Sequence, residues 1–207
     1  MLLGCCVCLA VAANDQPIWK NLRAQYLGLK TLSGTFRETI CAENQTTCQE
    51  FDGAFAISVP SRYRIEVTEG MKQLFVSDGT TLWIYIPKLG QVIKRPAGSF
   101  APITAFLDPV LDSTADVEVA KDSTGIYVVN VLMGDEMSAM NDLVLELNET
   151  GTQINGFSFK DGTGQKIHFS LYDQMWNTEL APSLFKFTPP KGVKVVEEPQ
   201  GKSPKHQ

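Results

Sequence analysis

The chain has 207 residues, a formal net charge of −5 at pH 7, 43% hydrophobic residues and 20% charged residues. This length suits one domain with a sizeable core, and the composition excludes wholesale disorder. The acidic balance, together with the lack of any dense lysine and arginine run, argues against a nucleic-acid surface.

The first 13 residues are apolar and end in small residues, with an A-x-A pattern at residues 10–12. They are typical of a signal peptide, and no later stretch is apolar for long enough to span a bilayer. In an alternative interpretation, LLGC at residues 2–5 is a lipoprotein cleavage site, and acylation at Cys5 or Cys6 anchors the product. We expect an exported protein, with residues 14–198 forming the domain and residues 199–207 a polar tail.

Two cysteines lie beyond the apolar segment, in the stretch CAENQTTC between two strand-like regions. In an oxidising compartment, Cys41 and Cys48 most simply form a disulfide, which the loop-entropy model values at about 2.5 kcal/mol. The two histidines, His168 and His206, are far apart in the sequence. We therefore expect no metal site.

The first predicted element is an amphipathic helix over residues 15–30. Its apolar side chains recur at helical spacing, and Asp15 and Pro17 suit an N-cap and a first turn. The apolar stripe consists of Ile18, Trp19, Leu22, Tyr26 and Leu29.

From Thr31 the apolar period changes to two, and most gaps between the segments hold turn residues. About eleven short strands predict an antiparallel meander, folded as a barrel or a strongly curved sheet. The later segments are placed at 116–120, 126–132, 142–147, 154–160, 166–172 and 185–187.

The predicted strand at 81–86, TLWIYI, is apolar on both faces. Leu82, Ile84 and Ile86 point to one side, and Trp83 and Tyr85 point to the other. In a curved sheet one face can pack on a helix while the other lines an interior. The pattern leaves open whether that interior is filled or hollow.

A second apolar helix is predicted within SFAPITAFLDPVL, residues 99–111, where Pro109 should kink or stop it. Its stripe includes Ile103, Phe106 and Leu107. The helix either plugs one end of the barrel as core or acts as a mobile lid.

No catalytic constellation is present in the sequence. Neither G-x-S-x-G nor H-E-x-x-H occurs, and His168 lies on a predicted strand opposite apolar neighbours. We expect neither enzymatic activity nor a cofactor.

Four stretches, in this order, resemble the LolA-type periplasmic outer-membrane lipoprotein carrier family. They are LSGTFRE at 32–38, the G-x-F-x-x-x-x-P-x-x-Y-R pattern at 53–64, VSDGTTLWIYIPKLGQV at 76–92 and LFKFTPPKGVKVV at 184–196. The resemblance implies a mainly β fold with a few helices: an unclosed antiparallel β-barrel of about eleven strands with an α-helical lid. The barrel would enclose a hydrophobic cavity for lipoprotein acyl chains.

The resemblance also implies roles for particular residues. The expected cavity residues are Phe36, Phe55, Val59, Tyr63, Ile65, Leu74 and Trp83. The expected lid residues are Trp19, Leu22, Ile103, Phe106 and Leu107. Many members carry an arginine that is proposed to hold the lid shut by hydrogen bonding, at the position where this chain has Val59. Arg62 or Arg64 is therefore the candidate for closing the lid here. Glu38 stands where the family usually has a glutamine.

The implied function is a monomeric periplasmic carrier that moves lipoproteins from the inner to the outer membrane. An inner-membrane ABC transporter would release the cargo, and an outer-membrane receptor would accept it. Two alternatives remain open: a membrane-anchored LolB-like receptor, and a paralogue of the same fold that carries another lipid or acts as a sensor or scaffold.

Overall fold

The computed structural model describes residues 16–42, 47–97, 102–104, 106–132 and 140–197. Two α-helices and twelve β-strands lie within these ranges. The helices are α1 (Gln16–Leu27) and α2 (Leu107–Leu111). The strands are β1 (Thr31–Cys41), β2 (Gln49–Ser58), β3 (Arg62–Val67), β4 (Gln73–Asp78), β5 (Thr81–Ile86), β6 (Gln91–Pro96), β7 (Asp116–Lys121), β8 (Tyr127–Leu132), β9 (Met140–Leu147), β10 (Ile154–Asp161), β11 (Lys166–Trp176) and β12 (Lys194–Glu197).

All twelve strands form one sheet, in the order β12-β6-β5-β4-β3-β2-β1-β11-β10-β9-β8-β7. Every pairing is antiparallel except that of β12 with β6. The two ends of this order are β12 and β7, so the sheet is an open barrel, as the family resemblance implies. The chain meanders from β1 to β6 and from β7 to β11, and the pairing of β1 with β11 joins the two halves.

Two glycines in the central strands make room for two phenylalanine rings. Gly53 lies opposite Phe36, and Gly34 lies opposite Phe55. A Cβ atom built on Gly53 would lie 2.6 Å from Cζ of Phe36, and one on Gly34 would lie 3.1 Å from Cζ of Phe55. Each ring therefore lies over a residue without a side chain, which fixes both rings on the face that carries Ile65, called the inner face below.

The helices complete the core on the inner face. From α1, Trp19, Leu22 and Tyr26 are buried in the same cluster as the inner-face side chains. The backbone N–H of Ile154 in β10 donates a hydrogen bond to the Tyr26 hydroxyl at 3.1 Å, which ties α1 to the sheet. α1 also packs against α2.

The second predicted helix differs from its expectation in detail. It consists of a short 3₁₀ helix, Pro102–Thr104, followed by α2. Pro109 is the third residue of α2 and does not stop it, because the helix continues to Leu111. A proline is tolerated there because the first N–H groups of a helix have no partner within the helix.

The C-terminal segment corrects the prediction of a strand at 185–187. A 3₁₀ helix, Pro182–Phe185, is followed by Phe187, whose ring lies 5.9 Å from that of Trp83 and 6.0 Å from that of Tyr85. This segment covers the outer face of β5, which explains why both faces of that strand are apolar. β12 then extends the sheet beyond β6.

The Cys41–Cys48 disulfide is present and confirms that prediction. It joins the end of β1 to the residue before β2. Residues 1–15 and 198–207 lie outside the described residues, and with them the expected signal peptide, the Asp15 N-cap and the polar tail.

Candidate functional site: an apolar cavity on the inner face

The inner face carries a cavity of about 230 Å³. Strands β1, β2, β3, β4 and β11 supply most of its wall, and the 3₁₀ helix at 102–104 supplies one residue. Nine of the lining side chains are apolar: Phe36, Ile40, Phe51, Ile65, Val67, Met71, Phe75, Ile103 and Phe169. The two polar lining residues are Glu38 and Gln73.

Strand alternation places these side chains together. Ile65 of β3 pairs with Phe55 of β2 and with Phe75 of β4. Residues directly opposite each other in an antiparallel pair point to the same face, so the row crosses three strands on the inner side. The same rule brings Phe51 and Phe169 to either side of Glu38.

The structure places two of the seven expected cavity residues, Phe36 and Ile65, in the cavity wall. Phe55 and Tyr63 are buried on the same face but belong to the packed core. Val59 is partly buried against that core.

Leu74 and Trp83 do not line the cavity, and their assignment to it is wrong. Leu74 pairs with Glu66 and Tyr85, and Trp83 pairs with Val76, so both lie on the outer face. The sequence pattern could not distinguish the two faces of β5, because the C-terminal segment buries the outer one. Phe75 and Ile84 occupy the inner positions instead.

The expected lid residues are all buried. Ile103 lines the cavity, and the Phe106 ring lies 5.2 Å from the ring of Phe157 in β10. Trp19, Leu22 and Leu107 belong to the same buried cluster. Of the five candidates, Ile103 forms part of the cavity wall, and the other four are buried in the core.

The two arginine candidates for closing the lid are wrong. Arg62 Nη2 donates to Ser58 Oγ at 2.9 Å, and its guanidinium lies 5.5 Å from the centre of the Phe185 ring. Arg64 forms an ion pair with Glu66 at 3.0 Å. Both arginines point to the outer face, because they alternate along β3 with Tyr63 and Ile65.

A different arginine joins the two helices. Arg23 Nε on α1 donates a hydrogen bond to the carbonyl oxygen of Val110 on α2 at 3.1 Å. The two residues are 87 positions apart in the chain, so no local pattern in the sequence marks this contact. The lining residues Phe51 and Phe75 were also not predicted. They could have been found by extending the alternation that places Phe55 and Ile65 on the inner face, along β2 and across to β4.

Glu38 is the acidic group of the cavity wall. Burial raises the pKa of its carboxyl from the ordinary 4.5 to about 7, because desolvation disfavours the charged form. Among the described residues, Glu38 has no hydrogen-bond or ion-pair partner. Within these ranges, no group of three or more potential metal-binding side chains occurs.

None of the described helices is long and apolar enough to cross a membrane. The sheet, the helices and the cavity together define a class of protein: an open antiparallel β-barrel with helices across it and an apolar cavity on its inner face. Residues 28–188 match the family described as outer membrane lipoprotein carrier protein LolA, so the chain belongs to the LolA family. The resemblance inferred from the four sequence stretches is thus confirmed.

Individual relatives agree with this assignment. The chain is 30% identical over 181 residues to the outer-membrane lipoprotein carrier protein of Xanthomonas campestris, covering 84% of this chain and 85% of that protein. It is 32% identical over 209 residues to the protein of the same name from Chromobacterium violaceum, covering 95% and 96%. The crystal structure of an uncharacterized conserved protein from Thermus thermophilus shares the fold, with a TM-score of 0.54 at 14% identity over 88% of this chain and 98% of that one.

Proposed function

We propose that this protein is a carrier that binds the acyl chains of lipoproteins in its inner-face cavity and passes them between membranes without a chemical step. The observation that carries the proposal is the apolar wall of the cavity, closed on one side by Ile103 of the helical segment. Relatives that match most of the chain are named outer-membrane lipoprotein carrier proteins. Lipoproteins are therefore the proposed cargo.

The size of the cavity indicates that loading requires movement. At 230 Å³ it is smaller than the roughly 300–1,000 Å³ of typical small-molecule sites. A chain carbon takes up about 30 Å³, much the same volume as a water molecule in the liquid. The cavity therefore holds about eight carbons, which is fewer than a long acyl chain has. The lid residues Ile103 and Phe106 must therefore shift, or the rest of the chain must extend past the exposed Met71.

The energetics suit a carrier that must also release its cargo. Burial of each CH₂ group contributes about 0.8 kcal/mol, so eight carbons contribute about 6 kcal/mol before the opposing costs of ordering. A gross gain of this size supports binding that is reversible. Displacing the lid lowers the net affinity further, which favours hand-over to a tighter acceptor.

The proposed location is the periplasm, with an inner-membrane lipoprotein-releasing ABC transporter as donor and an outer-membrane receptor as acceptor. Both partners are proposed because the family resemblance implies them. The disulfide between Cys41 and Cys48 supports an oxidising compartment such as the periplasm.

A binding experiment with a triacylated lipopeptide tests the proposal. Native mass spectrometry should show a one-to-one complex with the unaltered protein. We expect Ile65→Glu to weaken binding at least about tenfold, because the acyl chain would then lie against a buried charge. Tyr172→Glu adds the same charge at an exposed position of β11 and should leave binding unchanged.

Met71→Trp provides a second variant in case Ile65→Glu fails to fold. Met71 lines the cavity but is 47% exposed, so a larger side chain narrows the mouth without burying a charge. We expect it also to weaken binding. Unchanged binding by both folded variants would mean that the acyl chains lie elsewhere.

A further inference from the structure

Glu38 occupies an unusual position in the cavity wall. In the sheet, Glu38 of β1 lies between its pairing partners Phe51 on β2 and Phe169 on β11, and all three side chains point to the inner face. The remaining wall is apolar except for the uncharged Gln73. A carboxyl group thus faces a space that is otherwise suited to hydrocarbon.

No protein group of the described residues neutralises this carboxyl. The strands that surround it carry no other ionisable group in the cavity wall, and Tyr63 on the inner face stays neutral because burial raises its pKa to about 12. Lys72 and Lys88 do not line the cavity but lie in a neighbouring depression that shares Phe51 and Met71 with it. Both lysines are exposed, so their charges are screened by solvent. His168 points to the outer face, where it meets Glu146.

We propose that Glu38 is a specificity-determining residue, which admits acyl ligands whose polar end donates hydrogen bonds and rejects those whose polar end is anionic. This inference rests on the proposed function and specifies the ligand class of the same cavity. An amine, amide or hydroxyl group can donate to the Glu38 carboxylate, and a charged partner strengthens such a bond. A free fatty acid places a second carboxylate beside the first, and like charges repel strongly where water is scarce.

The selectivity depends on pH. Because the carboxyl of Glu38 titrates near 7, it is mostly neutral at about pH 6 and mostly ionised at about pH 8.5. The neutral acid accepts anionic and neutral ligands more equally. Rejection of anionic amphiphiles therefore grows as the pH rises through 7.

The test uses three ligands with the same twelve-carbon chain: dodecylamine, monododecanoylglycerol and dodecanoate. Each displaces an apolar fluorescent dye from the full chain, below its micelle concentration. At about pH 8.5 we expect the unaltered protein to bind the amine at least about tenfold more tightly than dodecanoate, with the glycerol ester between them. At about pH 6 the ratio should fall severalfold.

Two variants isolate the contribution of Glu38. Glu38→Gln keeps the size of the side chain. The variant should lose both the pH dependence of the selectivity and most of the preference for dodecylamine over dodecanoate. Glu66→Gln removes the same charge from the outer face of β3, where Glu66 pairs with Arg64, and should keep both. This comparison controls for the net charge of the protein.

The outcomes separate this inference from the proposed function. If all three ligands bind and Glu38→Gln stays within about twofold of the unaltered protein at both pH values, the selectivity role is wrong while the carrier proposal stands. If no ligand displaces the dye from the unaltered protein, the carrier proposal fails and this inference fails with it.

Discussion

At the scale of single residues, Glu38 links the cavity to the stability of the protein. Its carboxyl is neutral in both the folded and the unfolded chain well below pH 4.5, so it then has no effect on stability. As the pH rises from 4.5 to about 7, the unfolded chain releases this proton while the folded chain keeps it. The free energy of unfolding therefore falls across this window.

We expect Glu38→Gln to remove this loss. Relative to the unaltered protein, the variant should gain stability progressively between pH 4.5 and 7 and reach a plateau of up to about 3 kcal/mol above that. Urea unfolding at a series of pH values measures the difference. A difference that is flat across the window would show that Glu38 ionises normally.

Two buried tyrosines allow a matched comparison of hydrogen bonding. The Tyr26 hydroxyl accepts the N–H of Ile154, whereas the buried Tyr63 hydroxyl has no partner among the described residues. Tyr26→Phe leaves a buried N–H group without its acceptor and should cost about 1–3 kcal/mol. Tyr63→Phe removes an unsatisfied group and should be neutral or stabilising by about 1 kcal/mol.

Thermal and urea unfolding of the two variants check this prediction. Each loses one oxygen atom and keeps its ring, so the comparison cancels most of the packing change. Equal destabilisation by both would contradict the assigned hydrogen bonding.

The sequence predicted inner and outer positions wherever one face of a strand is polar. Tyr63 and Ile65 alternate with charged residues along β3, so their burial could be expected. Leu74 and Trp83 could not be placed, since the outer face of β4 and β5 is also apolar. The side chains that cover it come from Phe185 and Phe187, about a hundred residues further along the chain.

At the scale of elements, the hydrogen bond between α1 and α2 is the contact that would hold the proposed lid closed. Arg23→Ala removes the hydrogen bond to the Val110 carbonyl. We expect dye dissociation from the cavity to accelerate about tenfold or more, because a hydrogen bond to a charged group contributes about 1.5–3 kcal/mol and about 1.4 kcal/mol is a tenfold change. Stopped-flow dilution measures the rate.

Lys20→Ala is the matched control for this variant. Lys20 is an exposed cation on the same helix, and its removal should leave the dissociation rate unchanged. An unchanged rate for Arg23→Ala as well would mean that α2 does not limit release.

The helices and strands were largely predictable, but their ends and partners were not. Helix α1 follows from its apolar spacing, and Pro17 suits its first turn. The second helix was harder to delimit, because a proline at 109 predicts a break in mid-helix but is permitted in a first turn. The final strand, β12, pairs in parallel with β6, and no local signal encodes such a long-range pairing.

At the scale of the whole molecule, the open barrel and the apolar cavity together give the protein its proposed role. The number of short strands predicted a curved sheet, and the family resemblance supplied its open form and its lid. The hollow interior could not be derived from periodicity, because a filled core and a cavity wall have the same apolar pattern. The structure resolves this with a cavity of about 230 Å³.

Photo-cross-linking tests most directly whether lipoprotein acyl chains lie in this cavity. A lipoprotein with a photoreactive group at the end of one acyl chain is mixed with the protein and irradiated, and mass spectrometry locates the linked residues. We expect cross-links to Phe36, Ile65 and Ile103 in the cavity wall. Cross-links confined to the outer face, around Trp83 and Tyr85, would contradict this expectation.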